Sequence, residues 1–145
     1  MPYSWETPVT NRTSTSKYNY TDPNRVDNNS RYLEEYIEAN IGYPITLDAY
    51  TTQTVNSLPT NALINLLEGN INAIKDAIGF TPTGWQALSE AWAGGQAFLF
   101  TDANNLETDL TLLKTMAENI YAAMVYCGTF YCGLTPGDLV TEELL

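Results

Sequence analysis

The segment YNYTDPNRVDNNSRYL, residues 18–33, and the segment FLFTDANNLETDLTLL, residues 98–113, enter a helix in the same way. Set 80 positions apart, Tyr20 matches Phe100, Thr21 matches Thr101, Asp22 matches Asp102, Asn24 matches Asn104, Val26 matches Leu106 and Leu33 matches Leu113. Every part of this aromatic-Thr-Asp-x-Asn-x-aliphatic pattern is a folding signal. The aromatic ring can pack back on the first turns, an Asp or Thr oxygen can satisfy free N–H groups, the acid suits the helix dipole, and the aliphatic residue starts the buried stripe. We therefore read Asp22, Thr21, Asp102 and Thr101 as helix-capping residues, with Asp22 at the N-cap and Pro23 just inside, where its missing N–H costs nothing. Two acids can also share the work of sugar hydrolysis. Capping accounts for both of these without it.

Working outward, the first helix carries Val26, Leu33, Tyr36, Ile37 and Ile41 on one face and closes at Gly42 and Pro44. A second runs from Thr60 to Ile78 with Leu63, Leu67, Ile71, Ile74 and Ile78 at helical spacing, and Gly79 is its C′ residue. Thr83 and Gln86 have capping-box spacing ahead of a short third helix, in which Trp85, Leu88 and Trp92 share a face before Gly94 and Gly95 stop it. The last helix runs from Asp102 to Tyr126, with Leu106, Leu110, Leu113, Ala117, Ile120 and Met124 forming an a/d seam. That seam fits the spine of an intrachain bundle or one strand of an oligomeric coiled coil. The bundle is favoured, because the first two helices need a partner for their own stripes.

The spacing thus predicts a mainly α fold, a small bundle of about four helices over residues 21–126, preceded by an extended aromatic arm at 1–20. Residues 127–145 form a short Gly-rich segment, in which 129–132 offer a strand, and residues 43–59 suggest a loop with another short strand. Tyr3, Trp5, Tyr18 and Tyr20 make the arm too aromatic to float free, so it lies against its own domain or against a neighbouring subunit. These four residues are the candidate partner contacts.

At 145 residues the chain has a natural length for one domain. Its 17 acidic and 6 basic residues give a formal net charge of −11, which disfavours nucleic acid and anionic lipid as partners. No basic-led apolar run follows Met1 and no apolar stretch is long enough to span a membrane, so synthesis in a cytosol is expected. The chain has no His, which removes Ser–His and Cys–His nucleophiles and most transition-metal sites. No P-loop or dinucleotide fingerprint is present. Glu34, Glu35 and Glu38 read as a solvated helix face rather than a calcium loop, and Cys127 and Cys132 as small apolar packers rather than a disulfide. No enzyme activity, cofactor or metal is expected.

The stretches SWETPVTNRT, YNYTDPNRVDNNSRYLEEYI and FLFTDANNLETDLTLL resemble helical modules of tail-associated and other virion structural proteins from phages and prophages of Firmicutes-type bacteria. The shared patterns are a W-x-x-P-x-T-x-x-T arm, a D-x-N-R-[IV]-x-x-N entrance and a [DE]-x-N-x-[IL]-x-x-[DN]-L entrance; GTFYCG at 128–133 is similar to a segment downstream of such modules. The resemblance covers the arm, the first and last helices and the Gly-rich tail, and leaves the middle third unaided. It implies a non-enzymatic structural or assembly part of the virion, tail or baseplate associated and assembled in the host bacterial cytoplasm. Its implied partners are other virion subunits and further copies of itself. A carbohydrate- or cell-surface-binding adhesion module is the alternative.

Overall fold

The computed structural model describes residues 2–129, with side chains through residue 125. It contains three helices, α1 (Thr21–Asn40), α2 (Asn61–Ile78) and α3 (Phe100–Thr129), and no strand among the described residues. Helix α2 starts and stops where its end signals stand. The Thr60 side chain accepts from the Leu63 N–H, and Gly79 takes the left-handed conformation, φ 86°, that lets its own N–H close on Lys75.

The repeat seen at the first and last helix is threefold. Shifting α1 by 41 residues onto α2 and by 80 onto α3 superimposes the pattern Asn-x-x-[Asp/Glu]-x-[Asn/Asp]: Asn24, Asp27 and Asn29; Asn65, Glu68 and Asn70; Asn104, Glu107 and Asp109. The core keeps the same register. Val26, Leu67 and Leu106 are equivalent and fully buried, as are Leu33, Ile74 and Leu113, while Ile37, Ile78 and Ala117 close the set. Ser30 stands where Ile71 and Leu110 stand, and spends its hydroxyl on the Val26 carbonyl at 2.9 Å.

Each helix is preceded by an extended arm: arm 1 (residues 2–20), arm 2 (41–60) and arm 3 (79–99). An extended segment with no partner strand must place its peptide groups elsewhere. Here five asparagines each clamp one arm residue, Oδ1 accepting its N–H and Nδ2 donating to its carbonyl, at 2.8–3.2 Å: Asn29 on Glu6, Asn70 on Asp48, Asn104 on Arg12, Asn24 on Gln53 and Asn65 on Trp92. An asparagine amide offers the same donor and acceptor as a peptide, so it substitutes for a neighbouring strand.

The clamps follow a cyclic rule. Arm 1 begins on α1 and crosses to α3, arm 2 begins on α2 and crosses to α1, and arm 3 begins on α3 and crosses to α2. Arm 2 leaves the C-terminal end of α1 yet reaches Asn24, near its N-terminal end, shortly before α2 starts. The helices therefore run parallel, with their N-termini at one end. Side chains obey the same rule: Trp5 packs under Lys114 of α3 and Trp85 under Lys75 of α2, and Glu34 of α1, at the equivalent place, stands opposite Leu47.

Two expectations change, and one open alternative is decided. The third helix predicted from Thr83 is absent, because its N–H groups are committed to side chains: Gln86 donates to Asp109, Glu90 to Glu68 and Trp92 to Asn65. Residues Gly84 and Glu90 take positive φ there, which a helix cannot accommodate. The short strand expected within 43–59 is instead the clamped arm 2. Arm 1 docks on its own chain, with Trp5 edge-on to Tyr32 at 5.6 Å. Cys132, and with it the question of its pairing to Cys127, lies outside the described residues, as does the Gly-rich C-terminal segment beyond Thr129.

Candidate functional site

Where arm 1 crosses onto α3, four charged side chains meet in the interior. Arg12 donates to Asp22 at 2.8 Å and to Glu107 at 2.5 Å, and Arg25 donates to Asp22 at 2.7 Å and to Glu107 through Nε at 2.6 Å. Glu107 is fully buried and also accepts the Val9 N–H at 3.0 Å. Burial alone would disfavour the charges, but the bonds prevail. The Arg25 guanidinium is held more basic than usual chiefly by Glu107, and Asp22 is held below the usual carboxylate range by Asn19, Arg12 and Arg25 despite its burial. Buried beside this cluster, the Tyr18 hydroxyl is pushed well above the usual phenol range. A carboxylate this fully engaged by guanidinium donors is tied down, and the cluster locks an arm between two helices.

The structure moves the capping acids inward. Asp22 and Asp102 lie inside their helices and reach back to accept the N–H of Asn19 and of Leu99, each at 2.8 Å. The N-cap position of α1 is Tyr20, and just ahead of it the Asn19 Oδ1 accepts the Thr21 N–H at 2.9 Å and the Thr21 hydroxyl at 2.6 Å. The Asn19 carbonyl takes the Asp22 N–H at 3.0 Å as the Leu99 carbonyl takes that of Asp102, and both helices begin before their aspartate. Thr101 is exposed at the surface.

The four aromatic candidates divide. Trp5 and Tyr18 are half-buried in their own chain, Tyr18 lying 5.2 Å from Phe98 and beneath the Arg12 guanidinium. Tyr3 and Tyr20 remain at the surface. Tyr20 belongs to a larger feature. Because the helices are parallel, the approach to each N-terminus lies at one end of the molecule, and that end carries Tyr20 (41% exposed), Val55 (78%), Leu58 (80%), Leu99 (54%) and Phe100 (37%). Among them opens a cleft of about 490 Å³ between the junction of arm 1 with α1 and the end of arm 2, lined by Tyr18, Tyr20, Gln53, Val55, Pro59 and Leu63. Apolar side chains gathered at one end of a domain make that end a candidate contact surface.

Sequence reasoning passed over Arg12, Glu107 and the clamping asparagines. Their signal was the triple Asn-x-x-[Asp/Glu]-x-[Asn/Asp] spacing, which α2 shares although its entrance, PTNALI, lacks the Thr-Asp pair. Glu38 accepts the Ile45 N–H, and Glu34 lies 3.8 Å from Arg31. Among the described residues no group of acidic or thiol side chains is arranged to hold a metal ion, and no helix is long and apolar enough to cross a membrane. Comparison with protein-family models, with curated proteins and with solved structures returns no match.

Proposed function

We propose that this chain is a non-enzymatic structural or assembly module of a phage or prophage particle, tail or baseplate associated, that works by protein–protein contact through the N-terminal end of its bundle. The observation that carries the contact reading is the apolar rim of Tyr20, Val55, Leu58, Leu99 and Phe100 on a chain of net charge −11. Scattered charge keeps the flanks apart, and the uncharged rim is where a subunit can approach. The particle assignment rests on the arm and entrance motifs of arm 1, α1 and α3. Mass spectrometry of purified particles from cells that encode the chain tests it: presence in stoichiometric amount supports the assignment, and absence from the particles removes it.

Self-association through the rim is expected to respond to a single charge. Val55→Asp and Leu58→Asp should leave the melting temperature within about 2 °C, since both sites are exposed. Each should shift the light-scattering mass toward the monomer. A wild-type chain that stays monomeric at high concentration contradicts self-association and leaves other virion subunits as the partners.

The cleft also supports a second reading, a carbohydrate-binding module, because Tyr18 and Tyr20 line it beside the amides of Asn19 and Gln53. Loss of glycan-array binding on Tyr20→Ala favours it, and silence of the wild-type chain on the array dismisses it.

A further inference from the structure

The threefold repeat makes one residue conspicuous. In α1 and α2 the buried position that holds the start of an arm is an asparagine, Asn29 or Asn70, whose Nδ2 donates to the carbonyl of the residue it clamps. In α3 that position is Asp109. Its Oδ1 accepts the Gln86 N–H at 2.8 Å, matching its two counterparts, but Oδ2 occupies the place of the donor and is buried without a partner. The residue is completely inaccessible to solvent. A carboxylate there has nothing to donate to the arm and strands a charge, whereas a carboxylic acid carries an O–H where asparagine carries its N–H.

We propose that Asp109 is held protonated as a stand-in for asparagine, so that the start of arm 3 is latched to α3 by the acid form and loosened when the proton is lost. The surroundings agree. Burial, the largest influence, raises the Asp109 pKa to about 7, against the Gln86 N–H and Lys75 of α2, which lower it, and with Glu68 of α2, which raises it. Lys75 is engaged with the Trp85 ring at 5.4 Å, and Glu68 accepts from Glu90 and from the Trp92 indole, so both neighbouring charges are tied to the same arm. The arm start that this latch holds is the turn at Pro82–Trp85, where Pro82 and Thr83 form one wall of an apolar groove against Leu112, Met116 and Ile120 of α3.

The sign of the pH effect follows. The folded pKa lies above the unfolded value of 3.8, so the folded state binds the extra proton. The stability this gives relative to the ionised form is present at acid pH and lost as pH rises through about 7. Asp22, with its lowered pKa, works in the opposite sense, losing its contribution only as pH falls below the usual carboxylate range. Asp27 and Glu34, both raised chiefly by burial, work in the same sense as Asp109, so between about pH 5 and pH 8 it is the difference between wild type and an Asp109 variant that isolates Asp109.

Thermal melts of wild type and Asp109→Asn across that window test the latch. The wild-type melting temperature should fall as pH rises, while D109N should fall clearly less and melt higher than wild type at pH 8 by roughly 5 °C or more. Corrected amide exchange of Trp85 to Leu88 should quicken from pH 6 to pH 8 in wild type and not in D109N. Parallel profiles for the two proteins would overturn the proposal. Should D109N fail to fold, a carboxyl-carbon NMR titration of the wild type decides: a midpoint near 7 supports the latch, and one near 4 overturns it.

Discussion

Glu107→Ala is expected to lower the unfolding free energy by about 3–5 kcal/mol, because it leaves the buried Arg12 and the half-buried Arg25 guanidinium groups facing the single carboxylate of Asp22. The Arg12 and Arg25 side chains are 4% and 15% exposed, so water cannot readily replace the lost partner. The Val9 N–H loses its acceptor as well, and arm 1 is released at its crossing. The repeat supplies an internal control. Asp27 is the α1 counterpart of Glu107, but it meets only Arg31, at 3.4 Å, and accepts no N–H from arm 2. Asp27→Ala should therefore cost about 1 kcal/mol or less. Urea denaturation followed by circular dichroism measures both, and equal losses at the two positions would count against a special role for the Arg12 crossing.

The second large effect belongs to the clamps. Asn29 and Asn70 are buried, and each satisfies one peptide N–H and one peptide carbonyl of an arm. Truncation to Ala orphans both groups, and a buried group left unsatisfied costs about 1–3 kcal/mol. We expect Asn29→Ala and Asn70→Ala each to cost about 2–4 kcal/mol. Asn24, Asn65 and Asn104 are half-buried, so water can take over part of their work and the corresponding losses should be about half as large. Asn61, exposed in the first turn of α2, makes no clamp, and Asn61→Ala should stay within about 0.5 kcal/mol. A uniform small effect across all six would mean that the arms are held by apolar contacts alone.

The helices were legible in the sequence because their signals are local. Thr60 and Gly79 bracket α2 within a residue, and the stripe from Leu106 to Ala117 is buried as its spacing requires. Beyond Ala117 the seam rises out of the core, with Ile120 half-buried against it and Met124 45% exposed. The arms were not legible, since their hydrogen-bond partners are side chains far away in sequence: Arg12 is held by Asn104, Gln53 by Asn24. Residues Trp85, Leu88 and Trp92 show why arm 3 reads as a helix. Contacts with a core at intervals of three and four residues suit one face of a helix, and they equally suit an extended chain pinned at intervals by Asp109, Glu68 and Asn65. The third copy of the repeat was hidden for a related reason. Its helix opens on a Thr cap instead of the Thr-Asp pair, so only the polar positions inside the helix betray it.

The apolar rim follows from the same geometry. Parallel helices connected by return arms put all three helix entrances at one end, and the residues leading into them, Leu58 before α2 and Leu99 before α3, have no core left to enter. The clamps thus determine where the apolar rim is displayed as well as how the arms are held.

Amide hydrogen exchange resolved by residue tests the clamps most directly. Helix side chains holding the arms predict slow exchange at Glu6, Arg12, Asp48, Gln53, Gln86 and Trp92, comparable with helical amides although none of these residues lies in a helix or a sheet. Unclamped arm neighbours such as Thr10 and Thr52 should exchange quickly. Exchange at the six positions as fast as in an unfolded chain, with α1, α2 and α3 still protected, would contradict the account.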